Sequence, residues 1–258
     1  MNDLSDRLYL STVAADAAAC AGQYGLGLEI AEFCTAFNMD TDADQWIAQV
    51  RAQMQGLHRF LFHAPFNELC PAAVDPLIVD VAKKRYAQAY ALMHSLGVSA
   101  MVVHSGFLPI LYDESWFVSH SVDFWRAFLA DKPQGFSLFL ENVFEPKPEL
   151  LIEIVRRVED PRFRLCFDTG HAALAGAALP IGIWIERLAP YLGHAHLHNN
   201  DGIRDTHGAL GDGGIDMAAL LRRIEGSAQG VSYTIESVSA DPSVAWLQKA
   251  GFMATDQT

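Results

Sequence analysis

Six apolar runs in this chain end on a residue able to bind a metal ion or move a proton. They are FLFHAPF at His63, VVHSG at His104, FLENV at Glu141, CFDTGH at Asp168, HAHLHNND at His196 and TIES at Glu236. His171 follows shortly after Asp168, His194 and His198 flank His196, and Asp205 and His207 lie in the adjoining segment GIRDTHGALGDGG. Any one of these has an ordinary explanation: an imidazole hydrogen-bonded beside a strand, an aspartate capping the next helix, a solvated loop acid. That explanation must hold at every position at once, always at the same end of a run, which is a poor coincidence. Carboxylates and imidazoles gathered without Lys or Arg repel one another and are costly to desolvate. A divalent cation resolves both problems by taking carboxylate oxygens and neutral imidazole nitrogens as ligands. An oxygen and nitrogen set without thiolate suits Mn²⁺, Co²⁺, Mg²⁺, Zn²⁺ or Fe²⁺. Cys166 faces the same way as Asp168 but one layer deeper, and reads as core.

Positioning such a set requires many strands with a common end. Compact apolar runs occupy residues 7–11, 27–33, 58–63, 99–104, 137–142, 164–168, 193–198 and 232–236, mostly without polar alternation, as in strands covered on both faces. Helical spacing follows at 42–55, with Trp46, Ile47, Val50 and Met54 on one face, and at 75–96, with an apolar stripe opposite Lys83, Lys84 and Arg85. Further helices are expected at 123–130, 150–158 (with Pro148 just ahead), 181–191, 217–224 and 242–250. Strand then helix, repeated about eight times, predicts an α/β fold, a single (β/α)₈ TIM barrel with its active face at the C-terminal strand ends. No linker divides the chain, so one domain over 1–258 is expected.

Composition narrows the setting. The chain has 258 residues, 51% hydrophobic and 19% charged, which supports a large core and excludes disorder. Its 18 Lys and Arg against 31 Asp and Glu give a net charge of −13, which disfavours nucleic acid and anionic membrane surfaces. No run of about 18 apolar residues is present. The opening MNDLSDRLYL is acidic where a secretory signal is basic and then apolar. Cys20, Cys34, Cys70 and Cys166 form no Cys-x-x-Cys pair and read as reduced thiols, so a cytoplasmic protein is expected.

Taken together, these motifs resemble the xylose isomerase-like barrels. That superfamily contains sugar isomerases and epimerases, inosose and dehydroshikimate dehydratases, and the DNA-repair enzyme endonuclease IV. The resemblance runs from Gly27 to Glu236 and rests on His-Ala-Pro at His63, His-Ser-Gly at His104, Glu-Asn at Glu141, Asp-Thr-Gly-His at Asp168 and His-Leu-His-Asn-Asn-Asp at His196. Asp205-Thr-His207 and the closing Ile235-Glu236 complete it. In the isomerases and epimerases one metal is held by two glutamates, an aspartate and a histidine. The resemblance implies Glu141, Asp168, His196 and Glu236 for these, with Glu141 and Glu236 also moving a proton next to a carbonyl through a metal-stabilised enediolate. The nine positions of the three-metal cluster of endonuclease IV match His63, His104, Glu141, Asp168, His171, His196, Asp205, His207 and Glu236. One to three ions of Mn²⁺, Zn²⁺, Co²⁺ or Mg²⁺ per chain are therefore implied.

Loop composition separates these relatives. Across the segments after the strands, Lys147 and Arg204 are the only fixed cations, against Asp40, Asp42, Glu68, Asp113, Glu114, Asp201, Asp212 and other acids. A DNA-binding face needs several phosphate contacts from Lys or Arg, and a phosphorylated sugar needs a clamp. Phe66, Phe107, Tyr112, Trp116, Phe117 and Phe144 instead offer walls for an unphosphorylated sugar or cyclitol. His198 and Arg204 are candidate substrate contacts. Alternation puts Glu29 and Glu32 on opposite sides of the sheet, and the inward one, Glu29, is expected to contact substrate or orient a ligand histidine. The reading is a divalent-metal-dependent isomerase or epimerase of a small polyhydroxylated carbonyl compound. A lyase or dehydratase on the same scaffold, an endonuclease IV-like nuclease at abasic sites, and a metal-binding subunit without turnover are the alternatives. Assembly into a homo-oligomer stays open.

Overall fold

Parallel strands need long crossovers, and this sequence supplies a helix after each one. The computed structural model describes residues 3–174 and 179–255. In chain order the elements are β1 (Leu8–Ser11), α1 (Ala17–Tyr24), β2 (Gly27–Ile30), α2 (Phe37–Asp40), α3 (Ala43–Gln53), β3 (Phe60–His63), α4 (Pro76–Ser95), β4 (Ala100–His104) and α5 (Glu114–Leu129). They continue with β5 (Ser137–Glu141), α6 (Glu149–Val158), β6 (Phe163–Asp168), α7 (Thr169–Leu174), α8 (Ile181–Leu188), β7 (Leu192–Leu197), α9 (Met217–Ser227), β8 (Ser232–Ile235) and α10 (Asp241–Lys249). The eight strands pair in sequence order, all parallel, and β8 closes on β1. The expected (β/α)₈ barrel is the observed fold.

Local chemistry sets the helix starts. Asp75, Asp113 and Asp216 each accept a first-turn backbone N–H, from Leu77, Trp116 and Ala219, ahead of α4, α5 and α9. The Asp113 cap corrects the expected start of α5 at residue 123, because the aromatic pair Trp116 and Phe117 belongs to the helix. The helix α1 was not expected: its AAACAGQY carries little polar contrast to mark a face.

The main core lies between sheet and helices, where Trp125, Trp184, Phe33, Phe62 and Phe163 are fully buried. A fully buried apolar side chain of this size contributes about 1.5–3 kcal/mol. Inside the barrel, side chains of alternate residues form layers. Leu61, Val102 and Cys166 make a small apolar cluster with Tyr9, Ala100 and Phe139 packed against it, which confirms Cys166 as core. Gly27 is required here, since a Cβ would come 2.4 Å from the Tyr9 ring. Two positions further along each strand is the layer of His63, His104, Glu141, Asp168 and His196.

Candidate active site

Strand register brings this layer together. His104 is aligned with Glu141 across β4 and β5, and Asp168 with His196 across β6 and β7. Glu236 follows β8 immediately. His196 Nδ1 lies 3.3 Å from Glu141 Oε1, 3.1 Å from Glu236 Oε2 and 3.9 Å from Asp168 Oδ2. His63 and His104 approach the other Glu141 oxygen at 3.4 and 3.3 Å through their Nε2 atoms. Beside this group, His171 Nε2 and His207 Nε2 both lie 3.2 Å from Asp205 Oδ2, and His198 Nδ1 lies 3.8 Å from Asp205 Oδ1. Among the described residues five sets present ligand atoms within 4.8 Å of one another, and three of them gather the mouth residues: Glu141, Asp168, His196 and Glu236; His63, His104 and Glu141; and His171, His198, Asp205 and His207. The other two, Glu29 with His63 and His196, and Cys166 with His194 and His196, are buried throughout.

Most rings are oriented by an acceptor behind them. His63, His171 and His207 donate through Nδ1 to the carbonyls of Ala64 (2.9 Å), Asn142 (3.0 Å) and Glu236 (2.7 Å). A carbonyl only accepts, so in the neutral ring the opposite nitrogen is a lone pair. His196 and His198 donate through Nε2 to the carboxylates of Glu29 (3.1 Å) and Asp168 (3.0 Å). Lone pairs thus face carboxylate oxygens, an arrangement that calls for a cation between them. His196 Nδ1, His198 Nδ1 and Glu141 Oε2 are buried without a hydrogen-bond partner, the donor chemistry a divalent ion fits.

In the metal-free chain only protons can serve. Burial disfavours each charge, yet the imidazoles of His196 and His104 hold Glu141 well below the usual carboxylate range. Burial opposes His171 and His196 likewise, and the surrounding carboxylates, Asp168 for the first, Glu29 and Glu236 for the second, raise both well above the ordinary imidazole value. Burial raises the buried Glu145 carboxyl, which accepts from the Ser105 hydroxyl and from Val143 N–H. That acid ties together the loops after β4 and β5.

Backbone geometry supports the set. Gly170 is packed so tightly that a Cβ would fall 1.9 Å from His198 Cε1. Asn199 Nδ2 donates to the carbonyls of Leu210 and Ile215, and its Oδ1 accepts from Ile215 N–H, which pins the loop carrying Asp205 and His207. A cavity of about 910 Å³ opens above the strands. Glu141, Glu236, His63, His104, His171, Asp205 and His207 line it, whereas Asp168 and His196 lie beneath. Among the described residues no Lys or Arg lines this cavity.

The profile of the xylose isomerase-like TIM barrel matches residues 18–255. The chain belongs to that family. An uncharacterised protein of Methanocaldococcus jannaschii is 28% identical over 174 residues, covering 63% of this chain and 59% of the relative, so this chain spans less than two thirds of its length. Among solved structures, a D-tagatose 3-epimerase-like protein superposes with a TM-score of 0.74 at 22% identity, over 95% of this chain and 96% of that one. The TTHB071 protein from Thermus thermophilus, soaked with ZnCl₂, superposes with a TM-score of 0.75 at 25% identity, over 96% and 100%. Within the xylose isomerase-like fold these likenesses extend from end to end of the described barrel.

Of the residues expected to meet substrate, Phe66 and Phe107 line the cavity, and Phe66 stacks on His104 with centroids 4.2 Å apart. Tyr112 and Phe144 line it as well. Trp116 does not: its indole donates to the Ala72 carbonyl and its ring stacks on His120. Arg204 is exposed outside the lining, and Lys147 pairs with Glu114. His198 is buried in the Asp205 group rather than facing the cavity, and Glu29 backs His196 rather than reaching substrate. His194 sits a layer below the mouth, bonded to Ser232 and Thr234. Asn142, which pins Asp168, was visible in the Glu-Asn motif but its role was not; strand alternation alone gives no sign of it. No helix of the described residues is long and apolar enough to cross a membrane.

Proposed function

We propose that this chain is a divalent-metal-dependent isomerase or epimerase of a small, unphosphorylated, polyhydroxylated carbonyl compound, working as one barrel domain. The observation that carries this reading is the split within one ligand set: Glu141 and Glu236 line the cavity while Asp168 and His196 lie below it. Asp168, His196 and the two glutamates would hold the cation, which polarises carbonyl and hydroxyl oxygens when bound. Glu141 at the end of β5 and Glu236 just after β8 both lie within 3.3 Å of His196 Nδ1 and would reach the reacting carbon from different sides of the mouth. One carboxylate removes the proton beside the carbonyl and the other, or the same one, returns it. Phe66 and Phe107 offer an apolar wall to the sugar face, and the absence of Lys and Arg from the lining among the described residues disfavours phosphate. Likeness to an epimerase-like protein and to a zinc-soaked barrel supports both chemistry and metal.

A second reading has its own support, because all nine positions of the endonuclease IV cluster fall into the three ligand sets. The cation-free, acid-lined mouth argues against duplex DNA. Elemental analysis of protein purified without chelator tests both. About one Mn, Co or Mg per chain, with turnover on a ketose and aldose panel, is expected; two or three Zn with nicking of an abasic-site duplex would favour the nuclease. No bound metal after adding divalent ions back would sink both.

A further inference from the structure

The imidazole of His196 is held from below by a buried row of polar side chains that never reaches the cavity. Glu29 on β2 is 0% exposed, and its two oxygens lie 3.1 and 3.2 Å from His196 Nε2. Its Oε2 also accepts the Thr234 hydroxyl at 2.5 Å. With its proton committed to Glu29, that hydroxyl is an acceptor toward His194 Nε2, 2.9 Å away. His194 therefore carries its proton on Nε2 and accepts at Nδ1 from Ser232 Oγ at 2.7 Å. Tyr9 meets the His194 ring edge-on and Phe139 stacks on it, which fixes its orientation. The hydrogen bonds run one way along β7 and β8 and end on the Glu29 carboxylate, which His196 meets from the other side.

We propose that Glu29 is a positioning residue that keeps the His196 proton on Nε2 and so turns Nδ1, as a lone pair, toward Glu141, Asp168 and Glu236. A carboxylate only accepts, so the ring nitrogen against it must donate. Burying that charge across the barrel from β7 is costly, and the row of Thr234, His194 and Ser232 supplies donors that no apolar layer could. Such outer partners of a ligating histidine are worth roughly 10–100-fold in metal affinity. The inference rests on the metal-dependent reading above.

The test compares the unaltered chain with E29Q, E29D and T234V. Zinc dissociation constants are measured by chelator competition, and ring-nitrogen NMR reads the His196 protonation pattern. E29Q is expected to bind zinc about 10–100-fold more weakly, with E29D recovering part of the loss. T234V keeps the carboxylate and is expected to keep the Nε2 proton with a smaller loss, which preserves the test if E29Q does not fold. Wild-type affinity in E29Q, or a His196 that binds zinc through Nε2, overturns the proposal. Should the unaltered chain bind no zinc, the metal reading fails on its own. The metal-free spectrum, taken at a pH high enough for the His196 ring to be neutral, then decides Glu29: a neutral ring with its lone pair on Nε2 would refute it.

Discussion

Asn142 and Asp168 exchange two hydrogen bonds: Asp168 N–H donates to Asn142 Oδ1 at 2.8 Å, and Asn142 Nδ2 donates to the Asp168 carbonyl at 3.0 Å. The β5–β6 ladder ends one step earlier, at Glu141 and Cys166, so the amide side chain continues the sheet where the backbone has stopped. Both residues are buried, and removing the amide leaves an unsatisfied N–H and carbonyl. N142A is expected to cost about 1–3 kcal/mol of stability in urea titration and to weaken metal binding through a loosened Asp168. Unchanged values in both would show that the pair does not hold the site.

Glu141→Gln and Glu236→Gln, made separately, are expected to lower turnover about 10²–10⁴-fold while the circular dichroism spectrum stays native. Each amide is nearly isosteric but cannot accept a proton from carbon. Undiminished turnover in both variants would remove them from the mechanism.

Metal removal should be legible in melting. A site loaded at about 100 times its dissociation constant adds about 2.7 kcal/mol, so calorimetry after chelation is expected to show a midpoint lower by about 5–10 °C. A midpoint indifferent to chelator and to added divalent ions would mean the ligand sets bind no cation.

Stability of the metal-free chain should fall as the solution becomes alkaline. Burial opposes the charge on His207, but its hydrogen bond with Asp205 and the charges of Glu236 and Asp205 hold it up at about 9, from an ordinary 6.5. A raised imidazole stabilises fully below its unfolded value and loses that contribution as pH rises through its folded one. Denaturant midpoints should therefore decline between pH 6.5 and 9, and the decline should shrink in H207N. Metal loading runs the other way, tightening as the imidazoles lose protons.

Gly170→Ala is expected to destabilise by about 1–3 kcal/mol or more through overpacking, because the new Cβ meets the His198 ring. Zinc binding at the Asp205 group, read by the stoichiometry of titration, should fall with it. A native-like G170A with full stoichiometry would contradict the packing.

Much of this site follows from strand-end positions read in sequence. His63, His104, Glu141, Asp168 and Glu236 sit on six neighbouring strands with His196, and a closed parallel sheet must bring their ends together. Depth was harder to read. His194 and His198 share a face pattern with His196 in the letters alone, yet one sits below and the other beside the Asp205 group. Pairings across the barrel, such as Glu29 on β2 with His196 on β7, join residues far apart in the chain, where no local rule reaches. Arg204 and Trp116 do not line the cavity because local caps and turns place them: Arg204 N–H binds Asp201 in its loop, and Trp116 N–H binds Asp113 in the first turn of α5.

Asp168 serves more than one neighbour. Its Oδ1 accepts the His171 amide at 2.6 Å, capping α7, and the same carboxylate accepts from His198 Nε2. Helix start and ion ligand are therefore a single chemical group, and the two cannot be tuned apart. Amide protons of α7 should exchange with solvent in step with ion occupancy, slowing when the carboxylate is held and quickening when it is released. Hydrogen exchange at this short helix thus becomes an internal clock for loading, readable even before any substrate is known.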